Sequence, residues 1–302
     1  MSSQQIRTSG RSSRRPLQGR GPSVGTSILF ALTTIACAVG LAATYYFFVR
    51  TTAGQFIDES ALVEATELGG TAGRASTSLL DMLPMLCLVI SSVVVLFVTV
   101  ARRRWKAAGI AVAACIAANV ATQILKFLIP DRPDRGVQTL ELNSLPSGHT
   151  TLAASAAAAV FLMVSPRWRP LAGFLGSTFA VATGVSTLIN QWHRPADVVA
   201  AFLLVGAFML PAGWLILRTG SSWNVWKGYG EHWAASRLWV WLTIAALLVA
   251  GVVAAYSLLQ VPGLSTDSTV DYFWAGTAFI VMAGYLSALG GSWLFGLAAR
   301  KA

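Results

Sequence analysis

Three short segments of this chain carry side chains suited to chemistry on a phosphate group. They are residues 126–135 (KFLIPDRPDR), 145–151 (LPSGHTT) and 193–197 (HRPAD). Imidazoles act as nucleophiles or transfer protons near neutral pH, and guanidinium groups bind phosphate oxygens through paired hydrogen bonds. Such groups are rare beside hydrocarbon and usually functional there. The combination predicts a phosphoryl-transfer site.

The segment 145–151 predicts a phosphate cradle at the start of a helix. Ser147 is a favoured N-cap residue, and Gly148 lets a ligand approach the backbone closely. The first amides of a helix point outward with a partial positive charge behind them. A capping serine also starts many ordinary helices, but His149 in the first turn favours a ligand role.

In the segment 193–197, the spacing of His193 and Asp197 places both side chains on one face of a helix. Pro195 suits the first turn, where its missing N–H costs nothing. A carboxylate on one ring nitrogen fixes the tautomer and leaves the other nitrogen as nucleophile or base. Alternatively, the pair only caps a membrane helix.

The segment 126–135 supplies cations beside these histidines. Lys126 lies at the end of an apolar run, and Arg132 and Arg135 follow in the next loop. A lysine offers a compact point charge and an arginine a bidentate fork, so both suit phosphate oxygens. Snorkelling to the membrane interface is an alternative for Lys126.

The elements that must position these segments are membrane helices. Of 302 residues, 55% are hydrophobic and only 11% are charged, whereas about a quarter are charged in ordinary globular domains. Each crossing needs about 20 mostly apolar residues. The sequence contains eight such runs: 26–48, 79–100, 107–129, 148–165, 170–190, 196–218, 238–259 and 272–298. We therefore expect an all-α, polytopic helical bundle of about eight transmembrane helices.

The net charge of +10 does not indicate nucleic-acid binding, because the basic residues are distributed as a membrane topology requires. Most basic residues lie in alternate loops and near both termini, which the positive-inside rule places in the cytoplasm. Residues 1–25 are rich in serine, glycine and arginine, which predicts a disordered basic tail. The motif segments then share the extracytoplasmic side. That side holds these few cations: Arg50, Arg74, Lys126, Arg132, Arg135 and Arg194.

The three segments resemble the signature of the type-2 phosphatidic acid phosphatase superfamily, which includes membrane lipid phosphate phosphatases. Its pattern is Lys-x6-Arg-Pro, then Pro-Ser-Gly-His, then Ser-Arg-x5-His-x3-Asp. The middle block is complete at residues 146–149, and Ser186, His193 and Asp197 are in register with the last block. The resemblance covers about the third to the sixth span.

The sequence departs from this pattern in two places. Five residues, not six, separate Lys126 from Arg132, and Thr187 stands where the family has an arginine. That arginine would be a principal phosphate contact. We hypothesise that Arg194 or Arg135 supplies the missing charge from a neighbouring position.

The resemblance also implies a mechanism. His193 attacks phosphorus to form a phosphohistidine, Asp197 orients its ring, and His149 protonates the departing oxygen and later helps to activate water. The scheme uses no metal and no other cofactor. The phosphate oxygens are assigned to the following residues: Lys126, Arg132, Ser147, Gly148 and Ser186.

On this resemblance we expect a six-span phosphatase core at 26–218, followed at 219–302 by a loop and two additional spans. The expected activity removes phosphate from a lipid-linked monoester or diphosphate, with polyprenyl diphosphate favoured. The protein would lie in the cytoplasmic membrane with both termini inside and its site outside. Its partners would be the phosphorylated lipid and the bilayer, and not nucleic acid.

Other functions use the same residues. A lipid phosphotransferase would share the first half-reaction, and a phospholipid-binding or transport protein could keep the pocket after Thr187 impaired catalysis. A metal-dependent hydrolase would take His149, His193 and Asp197 as ligands, although the neighbouring cations oppose it. A serine hydrolase through Ser147 lacks a nucleophile-elbow pattern.

Overall fold

The apolar runs of this chain fold as α-helices, because a helix satisfies its own backbone hydrogen bonds inside hydrocarbon. A computed structural model describes residues 21–68, 71–129, 131–138, 143–219, 224–230, 232–259 and 272–301. Within them the helices are α1 Val24–Arg50, α2 Thr52–Glu64, α3 Thr71–Arg102, α4 Trp105–Leu128, α5 Gly148–Met163, α6 Arg169–Ile189, α7 Pro195–Thr219, α8 Arg237–Leu259 and α9 Tyr272–Ala298. Two short strands, β1 Val225–Trp226 and β2 Arg300–Lys301, pair in parallel.

Eight of these helices coincide with the eight predicted spans, so the expected all-α membrane bundle is confirmed. Seven are long and apolar enough to cross a membrane. The exception is α5, whose 16 residues span only about 24 Å. Many of its side chains are buried against neighbouring helices, so protein covers much of this short helix.

The helix α2 was not predicted. Its 13 residues make a rod of about 20 Å, too short to cross a bilayer. It packs against α1, α7 and α9, and it buries Gln55 and Asp58. This helix lies at the same end of the bundle as the motif segments, because Asp58 and Glu59 contact them.

The two ends of the bundle hold different loops. We call the end that holds residues 131–138, 143–147 and 190–194 the motif end. The opposite end, called here the basic end, holds the turn between α3 and α4, the α5–α6 turn and the start of α8. Arg104 Nη1 donates to Met163 O at 3.1 Å there, and Asn224 Nδ2 donates to Ala298 O at 2.9 Å. The predicted tail lies mostly outside the described residues, since these start at 21.

The last helix is packed into the bundle rather than appended to it. α9 contacts α2, α6 and α7 as well as α8. A Cβ built on Gly276 would lie 2.5 Å from Pro195 Cγ and 3.3 Å from Ala61 Cβ. The helix therefore approaches the start of α7 so closely that only glycine fits. The division into a core at 26–218 and an added part at 219–302 stays a prediction.

We expect Gly276→Ala to lower the unfolding free energy by about 1–3 kcal/mol, the usual cost of overpacking, because the rigid ring of Pro195 cannot yield. The apparent melting temperature of the purified protein in detergent measures this. Gly290→Ala, on the same helix, is the control, since a Cβ there meets no described atom within 4 Å. Equal melting temperatures for both variants would contradict the close packing of α9 at Pro195.

Candidate active site

The carboxylate of Asp197, in the first turn of α7, lies at the centre of the motif end. Asp197 is fully buried, with 0% of its surface exposed. Oδ2 accepts hydrogen bonds from Ser144 Oγ at 2.6 Å and from the Arg194 N–H at 3.1 Å. The same oxygen lies 3.3 Å from His193 Nδ1. A buried carboxylate needs such partners, since an uncompensated charge is costly to bury.

His193 is held in place by its backbone as well as by Asp197. The chain turns sharply after α6, where Gln191 takes a φ of 58°. The N–H groups of Trp192 and His193 both donate to Thr187 O, at 2.9 and 3.2 Å. With Nδ1 facing the carboxylate, the ring proton stays on Nδ1 and Nε2 is the nitrogen left for chemistry.

The motif segment 145–151 is hydrogen-bonded directly to the segment 193–197. Ser147 is the N-cap of α5 and its Oγ accepts from Thr150 N. Its own N–H donates to Asp197 O at 2.9 Å. The start of α5 and the start of α7 are thereby fixed beside each other. Both predicted catalytic histidines belong to these two starts, so the structure brings His149 and His193 to one place.

His149 lies close enough to His193 and Lys126 for their charges to interact. Its ring centroid is 5.4 Å from that of Trp192, with 39° between the ring planes. A Cβ built on Gly148 would lie 4.0 Å from Lys126 Nζ. The lysine therefore stands at the N-terminus of α5, where unsatisfied amides also favour an anion.

Arg132 takes a more buried position than the sequence suggested. Its side chain is 0% exposed, and Nη2 lies 3.2 Å from Asp58 Oδ2 and 3.9 Å from Asp197 Oδ1. Nη1 donates to Phe48 O at 3.3 Å. The guanidinium bridges two carboxylates here, so its role on a phosphate stays a prediction that requires an exchange of partners.

The two arginines expected to replace the family's missing one differ in setting. Arg194 is buried, with Nε donating to Glu59 Oε2 at 2.6 Å and Nη1 to Ser144 Oγ at 3.2 Å. Arg135 is exposed in the loop after α4. Of these two arginines, Arg135 is thus the one exposed to an approaching ligand. That one of them acts on a phosphate stays a prediction.

The other two positions of the family's last block, Ser186 and Thr187, lie in the last turns of α6. Ser186 is buried, and its carbonyl accepts from Asn190 N at 3.0 Å. Thr187 is fully buried, and its Oγ1 donates to Gly184 O at 2.7 Å. Thr187, in the family's arginine position, therefore bonds within α6 through its hydroxyl. Through its carbonyl it holds the turn that carries His193.

Sequence reasoning missed three residues that support the site, namely Asp58, Glu59 and Ser144. Asp58 Oδ1 also accepts from Ala196 N at 2.9 Å, at the start of α7. Asp58 and Glu59 are adjacent residues in the segment between the first two predicted spans, where no apolar run or motif marked them. Ser144 sits three residues before the capping serine and carried no signal of its own.

The environment of Asp58 favours its neutral form. Burial and, next, the negative charge of Asp197 raise the pKa of Asp58 to about 7 from its ordinary 3.8, against the opposing effects of Arg132 and the Ala196 N–H. The carboxyl therefore titrates near neutral pH. A proton on Asp58 weakens its hold on Arg132.

In the described ranges, no group of three histidine, cysteine or carboxylate side chains could hold a metal ion. The expectation of a metal-free reaction is not tested by this and stays a prediction.

The raised pKa of Asp58 predicts that the stability of the folded protein depends on pH. The folded protein keeps this proton up to about pH 7, whereas the unfolded chain releases it near 3.8. The contribution of Asp58 is therefore largest below pH 4 and declines as the pH rises towards 7. Asp58→Asn stays neutral, so its melting temperature relative to wild type should rise between pH 5 and 7.5. Asp134→Asn, an exposed carboxyl at the same end, is the control; a constant difference for Asp58→Asn would contradict the raised pKa.

Comparison with known families agrees with the geometry. Residues 107–222 match the model of the PAP2 superfamily, from the first turn of α4 to just beyond α7. The matched region contains all three motif segments and the third to sixth predicted spans. A comparison with curated proteins found no match, and a comparison with solved structures found none. Residues 107–222 of this multi-pass membrane protein are therefore similar to the PAP2 superfamily.

Proposed function

We propose that this protein is a membrane phosphatase that hydrolyses a lipid-linked phosphate or diphosphate through a phosphohistidine. The observation that carries the proposal is the placement of His193. Its Nδ1 faces a buried carboxylate at 3.3 Å, while His149 and Lys126 lie close by. A nucleophile, its orienting group, a proton donor and a cation then meet at the N-terminus of α5.

In the first step, His193 Nε2 attacks the terminal phosphorus, and the bond from that phosphorus to the leaving oxygen breaks. The leaving oxygen is the lipid oxygen of a monoester or the bridging oxygen of a diphosphate. His149, in its protonated form, gives that oxygen a proton. The ring of His193 becomes positively charged, and the carboxylate of Asp197 stabilises this charge. Lys126 and the Gly148 amide hold the other phosphate oxygens, since positioning and electrostatics dominate phosphoryl transfer.

In the second step, water attacks the phosphohistidine and the bond between phosphorus and nitrogen breaks. His149, now neutral, accepts the proton of the water. Inorganic phosphate leaves, and both histidines return to their starting states. The same residue acts as acid and then as base, as the reversal of roles between the two half-reactions requires.

The site suits a lipid substrate presented from the membrane. Trp192, which is 44% exposed, borders His149 at the motif end. Tryptophan favours the membrane interface, and this ring can contact the hydrocarbon chain of the lipid. We favour a polyprenyl diphosphate, on family resemblance. By the positive-inside rule the basic end is cytoplasmic, so we place both termini in the cytoplasm and the site at the outer face of the plasma membrane.

A second function is favoured by one observation. Arg132 and Arg194 are both engaged by carboxylates, and Thr187 replaces the family's arginine. These features would suit a phospholipid-binding or transport protein that retains the pocket with little turnover. The enzymatic proposal requires measurable phosphate release, which separates the two.

Purified protein should release phosphate from at least one of polyprenyl diphosphate, phosphatidylglycerophosphate and phosphatidic acid, with excess chelator present. His193→Ala removes the nucleophile and should lower the rate by at least about a thousand-fold. His232→Ala is the matched control, because His232 lies at the basic end and accepts a hydrogen bond from Ala234 N. Equal release by wild type and His193→Ala would end the enzymatic proposal, and loss of substrate without free phosphate would indicate a transferase.

Replacement of the missing arginine makes a separate prediction. If Arg194 or Arg135 contacts the phosphate, its change to alanine removes a charged hydrogen bond and should lower kcat/KM roughly ten-fold or more. Steady-state rates on the preferred lipid measure this for each variant. Arg50→Ala, another cation expected on the same side, is the control. Unchanged kcat/KM in both variants would show that neither arginine compensates for Thr187.

A further inference from the structure

A groove between α3, α5 and α6 runs towards the basic end and is separate from the histidine site. It has a volume of about 790 Å³ and is lined mainly by apolar side chains, among them Ile90, Phe97 and Leu175. Its lining runs along α3 from Leu86 to Arg102, a rise of about 24 Å. One leaflet of the hydrocarbon core is about 15 Å thick, so the groove is long enough for an acyl chain.

The groove ends at a cluster of arginines. Three arginines line it, Arg102, Arg104 and Arg167, and none of the lining residues that the structure describes is acidic. Arg104 Nη1 donates to Met163 O at 3.1 Å, which holds its guanidinium at the end of α5. Burial and, next, the charge of Arg102 lower the pKa of Arg104 to about 10. Arg104 therefore stays charged at neutral pH, and a bound anion would relieve the repulsion between Arg104 and Arg102.

Trp168 adds a polar-tipped aromatic ring beside these arginines. It lines the groove, and its ring packs against those of His232 at 5.0 Å and Trp233 at 5.4 Å. Tryptophans favour the level of the lipid headgroups. An apolar groove between membrane helices that ends in basic residues is a recurring form of site for anionic lipid headgroups.

We propose that this groove binds an anionic phospholipid from the leaflet at the basic end. The lipid phosphate lies on Arg102, Arg104 and Arg167, and one acyl chain lies between α3, α5 and α6. The site is at the opposite end of the bundle from His193. It therefore stands whether or not the chain is a phosphatase.

Native mass spectrometry of the full chain tests the proposal. The protein is released from micelles that contain equal amounts of phosphatidylglycerol and phosphatidylcholine, and the bound copies of each lipid are counted. Wild type should retain phosphatidylglycerol preferentially. Each arginine is worth about a five-fold difference in binding, so Arg102→Gln with Arg167→Gln should remove most of the preference. Arg103→Gln with Arg218→Gln changes the net charge equally outside the groove lining and should keep it.

A second variant tests the chain-binding part of the groove. Val94→Trp fills the space on α3 and leaves the arginines in place, so phosphatidylglycerol retention should fall while the melting temperature verifies folding. Glycerol phosphate, which has the charge without the tails, should not displace the lipid. Equal retention of both lipids by wild type, an unchanged preference in either groove variant, or an equal loss in the Arg103 and Arg218 control would overturn the proposal.

Discussion

The burial of the Asp197 carboxylate is the constraint on which the motif end depends. A charge removed from water costs several kcal/mol unless close partners compensate it. The ring of His193, four residues away, is one partner, and two others come from distant parts of the chain: the hydroxyl of Ser144 and, at longer range, the guanidinium of Arg132. The two distant partners bring their own segments to the start of α7. The carboxylate thus assembles the three motif segments and orients the proposed nucleophile.

The helix α2 provides a second layer of carboxylates behind the first. Asp58 holds Arg132 and the Ala196 N–H, and Glu59 holds Arg194. At its end, Glu64 Oε2 accepts from the Phe273 N–H at 2.7 Å, at the start of α9. One short helix therefore connects the PAP2 region to the last span. This helix engages two arginines, whereas Lys126 lies close enough to His149 for their charges to interact.

The sequence was sufficient for the spans, because each is a long apolar run, and a run of about 20 such residues satisfies its own backbone hydrogen bonds in hydrocarbon as an α-helix. It was also sufficient to bring His149 and His193 together, since alternate span ends share a membrane face. It could not reveal the partners of the arginines. The pair of Arg132 with Asp58 spans 74 residues and that of Arg194 with Glu59 spans 135. Such contacts depend on how α2 packs, and α2 itself buries polar residues that gave no helical signal.

The central claim is that His193, oriented by Asp197, carries the phosphoryl group during turnover. Rapid quenching of the protein with a lipid diphosphate, followed by peptide mass spectrometry under conditions that preserve phosphohistidine, measures this directly. A phosphoryl group on His193 that forms and decays at the rate of turnover is the expected result. Steady phosphate release with no phosphoryl group on His193 at any time, or with one on Ser147 instead, would contradict the claim.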